Sequence, residues 1–332
     1  VDMPALALRS NGAVRVNRKY WMVDHLDALP LPAREMFPVE KYFKIHLPMQ
    51  GISKSRRNLS IATSRGCPFQ CTFCSSCIHW GERLRLRSVD KVLDEMEILK
   101  TRFGIKEIKF EDDNLTHDRE HARRLFQGMI DRGLNLHWNT PNGISARHLD
   151  DDMLQLMKKS GCYELTVAVE SGDEDVLRRL IRKPITLTMV REAVRRIKAH
   201  GIGTNGYFIC GFPGETRQNI ENTFRLIREL KLDRHYLFMY SPLPGTPLAR
   251  MAVEQGRLPE DYDYEKPETY FTPSVQLSEV PPRTLKKMWR RTFMISNLRL
   301  VLTNPVKFFR KYGATLRSHP EFLIKFFQVI FK

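Results

Sequence analysis

Six short apolar or β-branched runs recur along this chain, each followed by a stretch with helical period, and this alternation restricts the fold more than any other feature. They are LSIATS (59–64), IKEIKF (105–110), LNLHWN (134–139), YELTVAV (163–169), NGYFIC (205–210) and HYLFMY (235–240). Strands separated by helices favour a parallel sheet joined by right-handed crossovers. The expected class is therefore α/β, and six units suit a partial (β/α)6 TIM-like barrel whose active face lies at the strand C-termini. The first helix, SVDKVLDEMEILKTRFG, illustrates the pattern: Ser88 as cap, Asp90 in the first turn, apolar Val92, Leu93, Met96 and Leu99, and a stop at Gly104.

The flanks differ from this core. Residues 1–58 carry a hairpin signal at Asn11-Gly12 and the proline-rich stretch LDALPLPAREMFP, and read as a linker, the end of or connection to an upstream domain. The barrel core is expected over 59–250, and 251–332 as a helical, basic extension. Net charge is +16, and from Arg283 onward twelve Lys and Arg face the single acid Glu321, which leaves +5 for the preceding residues. The last segment, PEFLIKFFQVIFK, puts Phe322, Leu323, Phe326, Phe327, Ile330 and Phe331 on one helical stripe, after Lys307, Arg310, Lys311 and Arg317. Such a stripe suits either packing on the barrel or peripheral contact with an anionic membrane surface. A helix whose aromatics are all phenylalanine, without a recognisable recognition motif, gives no expectation of nucleic acid. Six cysteines, no signal-peptide pattern and no apolar run near membrane-spanning length make a reducing cytoplasm the expected setting.

Where the first strand ends, the stretch TSRGCPFQCTFCSSC places Cys67, Cys71 and Cys74 at x3 and x2 spacing, with Cys77 just beyond. Disulfides do not suit that compartment, and a structural zinc site usually takes its four ligands as two separated pairs. Three clustered thiolates suit an iron–sulfur cluster, whose fourth iron would stay open to a substrate or cofactor. A zinc knuckle recruiting Cys77 is the alternative.

The C-x3-C-x2-C spacing, with Phe73 before the last cysteine and on the loop after the first strand, resembles the signature of the radical S-adenosylmethionine (SAM) enzymes. The resemblance covers roughly residues 1–300. It implies a [4Fe-4S] cluster on Cys67, Cys71 and Cys74, SAM chelated at the open iron, and reductive cleavage of SAM to a 5′-deoxyadenosyl radical. An electron donor such as a flavodoxin or ferredoxin is implied as a partner. Acids at the end of the second strand, Glu111, Asp112 and Asp113, can accept hydrogen bonds from the SAM ammonium. This chain lacks the Gly-Gly-Glu-like segment that family members often carry there, which leaves open which acid does so. Glu170 and Ser171 resemble family residues near the ribose and methionine moieties, and Arg182 is placed to pair with a carboxylate. Gly211 and Gly214 in FICGFPGET would allow close backbone approach to a ligand. Asp173, Glu174 and Glu215 read as helix caps or dipole partners.

LDALPLPAREMFPVEKYF, ESGDEDVLRRLIRKPIT, GFPGET and YSPLPGTPL together resemble the branch that carries a cobalamin (B12)-binding domain ahead of the radical domain. That branch implies cobalamin-dependent methyl transfer to an unactivated centre of a small-molecule or lipid-like substrate, with a radical cyclase or rearranging enzyme as the alternative. No Asp-x-His-x-x-Gly segment, the usual lower-ligand motif of such a domain, occurs here. The expectation is that the domain lies upstream of Val1, or that the protein works without it. The reading from another class is a non-catalytic iron–sulfur or zinc module with a basic tail.

Overall fold

The computed structural model describes residues 6–17, 22–45, 53–264 and 275–303. Its centre is a six-stranded sheet of β1 (Asn58–Ile61), β2 (Glu107–Phe110), β3 (His137–Ile144), β4 (Cys162–Glu170), β5 (Gly203–Cys210) and β6 (Arg234–Met239). The strands are hydrogen-bonded in sequence order, every pair parallel. Between them run α1 (Val89–Phe103), α2 (Arg119–Asp131), α3 (Asp151–Lys159), α4 (Leu187–Ala199) and α5 (Arg217–Leu230). After β6 come α6 (Pro247–Glu254) and α7 (Pro282–Thr303). This is the expected open, partial barrel.

Local chemistry sets the helix ends. α2, α3 and α4 start at Asp118, Asp150 and Thr186, whose side chains accept from the backbone N–H three residues on. α5 carries a reciprocal capping box between Thr216 and Asn219. Ser88 opens α1 with extended backbone but no side-chain bond, while Gly104 closes it at φ 61. The N-terminal hairpin turns at Asn11 (φ 49) and Gly12 (φ 80), both left-handed as a tight hairpin turn requires.

Two strands depart from their sequence patterns. β1 stops at Ile61, and Ser64–Arg65 instead pairs antiparallel with Arg85–Leu86, at the base of the cysteine loop. β3 begins at His137 rather than Leu134, because the Leu134 N–H closes α2 on the Met129 carbonyl. The C-terminal phenylalanine stripe lies outside the described residues. Among the described residues no helix is long and apolar enough to cross a membrane.

The two faces of the sheet differ. The outer face packs Ile108, Phe110, Leu165, Val167, Val169 and Phe208 under the helices, all essentially inaccessible. Trp138 anchors it, stacked on Phe126 at 4.8 Å and donating to Ser160 Oγ at 3.0 Å. Edge carbonyls are covered at both ends. On β1, Arg34 donates to Ser60 O at 3.0 Å, and Arg87 donates to Ala62 O, one residue past the strand, at 3.1 Å. Both guanidiniums are held at 2.6 Å by the buried Glu95 of α1. On β6, Trp289 of α7 donates to Leu237 O at 2.8 Å.

Candidate active site at the cysteine loop

The cysteine loop is fastened at three points. Gly66 sits at φ +92, and a Cβ there would lie 2.4 Å from the Arg83 carbonyl oxygen, so the close approach that shuts the loop needs glycine. Asp112, at the end of β2, accepts from Thr63 N at 3.0 Å, Thr63 Oγ1 at 2.7 Å and Ser64 Oγ at 2.5 Å. Thr72, between the cysteines, donates its N–H to Ile181 O at 3.0 Å and its hydroxyl to Leu180 O at 2.7 Å, while its carbonyl accepts from Leu248 at the start of α6. Phe73 leans on Phe212, ring centroids 5.8 Å apart.

Cys71 is buried, and Cys67 and Cys74 are half-buried. Burial raises all three thiols, Cys71 to about 12, and the Lys183 charge pulls each of them back. The Cys71 and Cys74 thiols both lie within the field of Cys67. Backbone N–H groups of Phe69 and Ser76 point at Cys67 and Cys74, as donors to developing thiolates do. A four-iron cluster takes one thiolate on each of three irons, and three thiols on one loop within a shared field fit that donor set.

The cation of this site is Lys183, a residue that nothing in the sequence pattern singles out. Its Nζ lies 3.1 Å from Glu170 Oε1, with only 11% of its side chain and 9% of that of Glu170 exposed. Burial opposes its charge, and Glu170, Cys71 and Cys74 outweigh that, holding it above the ordinary lysine range. Glu170 ends β4 at φ +67, just past a register shift against β5. Such strain in a non-glycine residue is common at functional sites.

Several sequence expectations change accordingly. Arg182 is exposed, at φ +50, and takes part in no ion pair among the described residues; the pairing with a carboxylate expected of it is made by its neighbour Lys183, with Glu170. Asp112 has its oxygens engaged by Thr63 and Ser64, and burial pushes its pKa up, so it fastens the loop instead of receiving an ammonium. Asp113, half-buried, lies within the field of Cys67 and Cys74. Ser171 shares its hydroxyl with Thr223 at 3.2 Å and accepts from Asp173 N at 3.2 Å, tying β4 to α5. Gly211, at φ +88, is approached by Leu285 of α7, 2.9 Å from where its Cβ would be, and Gly214 has nothing within 4 Å of that position.

The three acids expected as caps do hold backbone. Asp173 accepts from Asp175 and Val176, Glu174 from Leu187, and Glu215 from Gly211 and Phe212. Glu215 is nonetheless unusual, since burial pushes its carboxyl up to about 8 and its Oε1 has no hydrogen-bond partner among the described residues.

The family model of the Radical SAM superfamily matches residues 61–227, about half of the chain. The cytidylyl-2-hydroxyethylphosphonate methyltransferase of Streptomyces wedmorensis is 36% identical over 241 residues, covering 71% of this chain and 45% of that protein. An uncharacterized methyltransferase of Pyrococcus horikoshii is 31% identical over 294 residues, covering 89% of this chain and 61% of that protein. Among solved structures, the cobalamin-dependent SAM radical enzyme OxsB with aqua-cobalamin bound superposes with a TM-score of 0.61 at 18% identity, over 77% of this chain and 42% of that one. The radical SAM methyltransferase TsrM from Kitasatospora setae, with cobalamin and a [4Fe-4S] cluster bound, gives 0.56 at 22% identity, over 62% and 43%. The chain thus spans between two fifths and about three fifths of the length of each of these proteins. The likeness of the two structures is one of fold, and it agrees with the strand order found here. From the matched model, the two relatives and three buried or half-buried thiols in one shared field at the strand C-termini, it follows that this chain belongs to the radical SAM superfamily.

Proposed function

We propose that this chain is the catalytic barrel of a cobalamin-dependent radical SAM methyltransferase. The observation that carries the reading is the set of three buried or half-buried thiols under the Lys183 charge, on a loop fastened at the mouth of the barrel. The two relatives described above are methyltransferases by name, which favours methyl transfer over cyclisation. When bound, the cluster, SAM and cobalamin supply one-electron chemistry and a transferable methyl group.

The tasks of this chain's residues follow from their placement. Cys67, Cys71 and Cys74 would hold the cluster. The methionine part of SAM is zwitterionic, and the site offers a cation, Lys183, and an acid near the cysteines, Asp113. Glu170 fixes the Lys183 ammonium and keeps it charged despite burial. Phe73 and Phe212 close an apolar flank against water, which would otherwise quench a reactive carbon centre. Electrons would come from a small carrier of the flavodoxin or ferredoxin type, and cobalamin from a domain outside residues 59–250.

The test is anaerobic reconstitution with iron and sulfide, followed by absorbance spectra and an assay for 5′-deoxyadenosine. Single alanine changes at Cys67, Cys71 or Cys74 should abolish both the cluster absorbance and SAM cleavage, and changes at Cys77, Cys162 or Cys210 should spare them. Loss of the cluster in Cys77→Ala with retention in Cys67→Ala would overturn the ligand assignment. Methyl transfer itself is read by adding reduced cob(I)alamin, which would accept the methyl group of SAM and leave S-adenosylhomocysteine with methylcobalamin; absence of both products alongside intact SAM cleavage would move the protein to the cyclase reading.

A further inference from the structure

The free edge of β1 is crossed by the chain segment that precedes it, and that segment is pinned on both sides of a short span. Ahead of the span, Val23 O accepts from Arg85 at 2.9 Å and Asp27 accepts from Ser88 N at 3.0 Å. Behind it, Arg34 donates to Ser60 O. Residues 29–32 between these pins include Pro30 and Pro32, which stiffen the backbone and bring no N–H that would need a partner. A cavity of about 260 Å³ lies between this arch and the end of β1. Leu26, Leu29, Leu31 and Ile61 give it apolar walls, and Ser60, Ser64 and Glu111 line it from the strand ends.

The charges around the cavity do not balance. Three arginines, Arg34, Arg65 and Arg87, line it together with two acids, Glu95 and Glu111. Arg34 and Arg87 both lie 2.6 Å from the one Glu95 carboxylate, with 16% of each arginine side chain exposed. One guanidinium charge of this trio is therefore in excess. Arg87 uses Nη1 for both Ala62 O and Glu95, which leaves its Nε and Nη2 without a hydrogen-bond partner among the described residues. Arg65 takes part in no ion pair among the described residues, and its guanidinium stands over the Trp80 ring at 5.1 Å. Glu111 does not neutralise the trio: it accepts from Ser60 Oγ at 3.1 Å and lies in the field of Lys109. A concave, partly covered wall of one sign concentrates ions of the other.

We infer that this cavity is a binding site for a small amphiphilic anion, a carboxylate or phosphonate on a short apolar body, with the Arg34 and Arg87 pair recognising its charge. Guanidinium donors match the paired oxygens of either head. A neutral head would leave the excess charge uncompensated, and a cationic head would add to it. The volume lies just under the range of about 300–1,000 Å³ usual for drug-sized ligands, so the guest is of fragment size. None of the lining residues is a cysteine or Lys183, so the inference goes beyond the reading of the cysteine loop and does not rest on it.

The experiment titrates benzoate, phenylphosphonate and the neutral benzamide into the full chain, followed by calorimetry and saturation-transfer NMR. At least one of the two anions should bind about tenfold or more tightly than benzamide, and the better of them identifies the preferred head. This comparison on the unaltered protein needs no variant to fold. Arg87→Gln leaves Glu95 paired with Arg34, so it removes the excess charge without stranding an acid, and it should weaken the anion by about tenfold while sparing benzamide. Leu29→Trp should fill the cavity and abolish binding of all three probes. Neither anion exceeding benzamide, or anion binding unchanged in either variant, would overturn the inference and leave the arginines as covers for the β1 carbonyls. SAM cleavage is measured separately on reconstituted protein. Its absence with anion binding intact counts against the radical reading alone, and the converse counts against the cavity alone.

Discussion

Replacing Lys183 by methionine isolates what the buried ion pair contributes. The substitution keeps most of the side-chain volume and removes the ammonium, leaving Glu170 with 9% of its side chain exposed and no counter-ion. Removing one partner of a buried pair costs about 3–5 kcal/mol, because the remaining charge is stranded. Both ends are about nine-tenths covered, so solvent screening discounts this little. At about 2 °C per kcal/mol for a chain of this size, the melting temperature should fall by roughly 6–10 °C. Replacing Glu170 by glutamine at the same time should recover part of the loss, since the stranded charge is gone. On the reconstituted protein, Lys183→Met should also weaken SAM binding about tenfold or more, the scale of one charge-assisted contact.

Arg182→Ala is the matched control. Arg182 is exposed and unpaired among the described residues, so its loss should change stability by no more than about 0.5 kcal/mol and leave SAM affinity unchanged. Thermal melts of the four proteins and calorimetric SAM titrations of the two single lysine and arginine variants read both quantities. If Arg182→Ala weakened SAM while Lys183→Met altered neither stability nor affinity, the placement of charge at this site would be wrong.

Two further outcomes are expected. The Glu215 carboxyl is raised by burial from 4.5 to about 8 in the folded state, so between those values the folded chain holds a proton that the unfolded chain has released. Its contribution to stability is complete below about 4.5, falls as pH rises and is lost above about 8, by at most about 5 kcal/mol; denaturant midpoints of Glu215→Gln should show that slope flattened, and an unchanged slope would place the titration elsewhere. Gly66→Ala should destabilise by more than about 2 kcal/mol and lower cluster yield, since its Cβ meets Arg83 O at 2.4 Å, whereas Gly214→Ala meets nothing within 4 Å and carries only its backbone strain; equal melting temperatures for the two variants would refute the steric account.

The barrel was legible because its signal is periodic. Six alternations, each with apolar residues at helical or strand spacing, survive errors of a few residues at any boundary, and the displaced start of β3, His137 instead of Leu134, left the topology intact. The cysteine ligands were legible because their spacing is local. Glu170 was legible as a polar residue ending an apolar strand, but its left-handed backbone was not, since nothing in the residue type requires it. Lys183 was hidden because it lies past a helix end. Residues Val176–Leu180 form a π-helical turn, and the chain then leaves the helix with Arg182 at φ +50, where no periodic pattern says which side chain turns inward. The basic residue that is buried is Lys183, and Arg182 is exposed. Asp112 and Ser171 each hold a neighbouring segment of the chain; a polar residue at a strand end suits that use as well as ligand contact, and only the partner atoms distinguish the two.

That same π turn ties the two halves of the site into one unit. Thr72 sits between Cys71 and Cys74 and hydrogen-bonds the carbonyls of Leu180 and Ile181, the residues that close the turn. Lys183 lies two residues beyond, its own N–H bonded to the Leu177 carbonyl at 2.8 Å. The loop that holds the thiols and the segment that holds their counter-charge therefore share a fastening and cannot be displaced independently. Burial makes thiolates costly at Cys67, Cys71 and Cys74, and Lys183 offsets part of that cost only while this geometry holds. A change that loosens the Thr72 clip should thus act on the cysteines and on Lys183 together, although it touches neither side chain. Thr72→Val keeps the shape and the backbone bonds but leaves the Leu180 carbonyl without its hydroxyl donor, a loss of about 1–3 kcal/mol at a buried residue. Cluster absorbance per chain and SAM affinity should then fall in parallel, and a fall in one with the other unchanged would show that the two halves move separately.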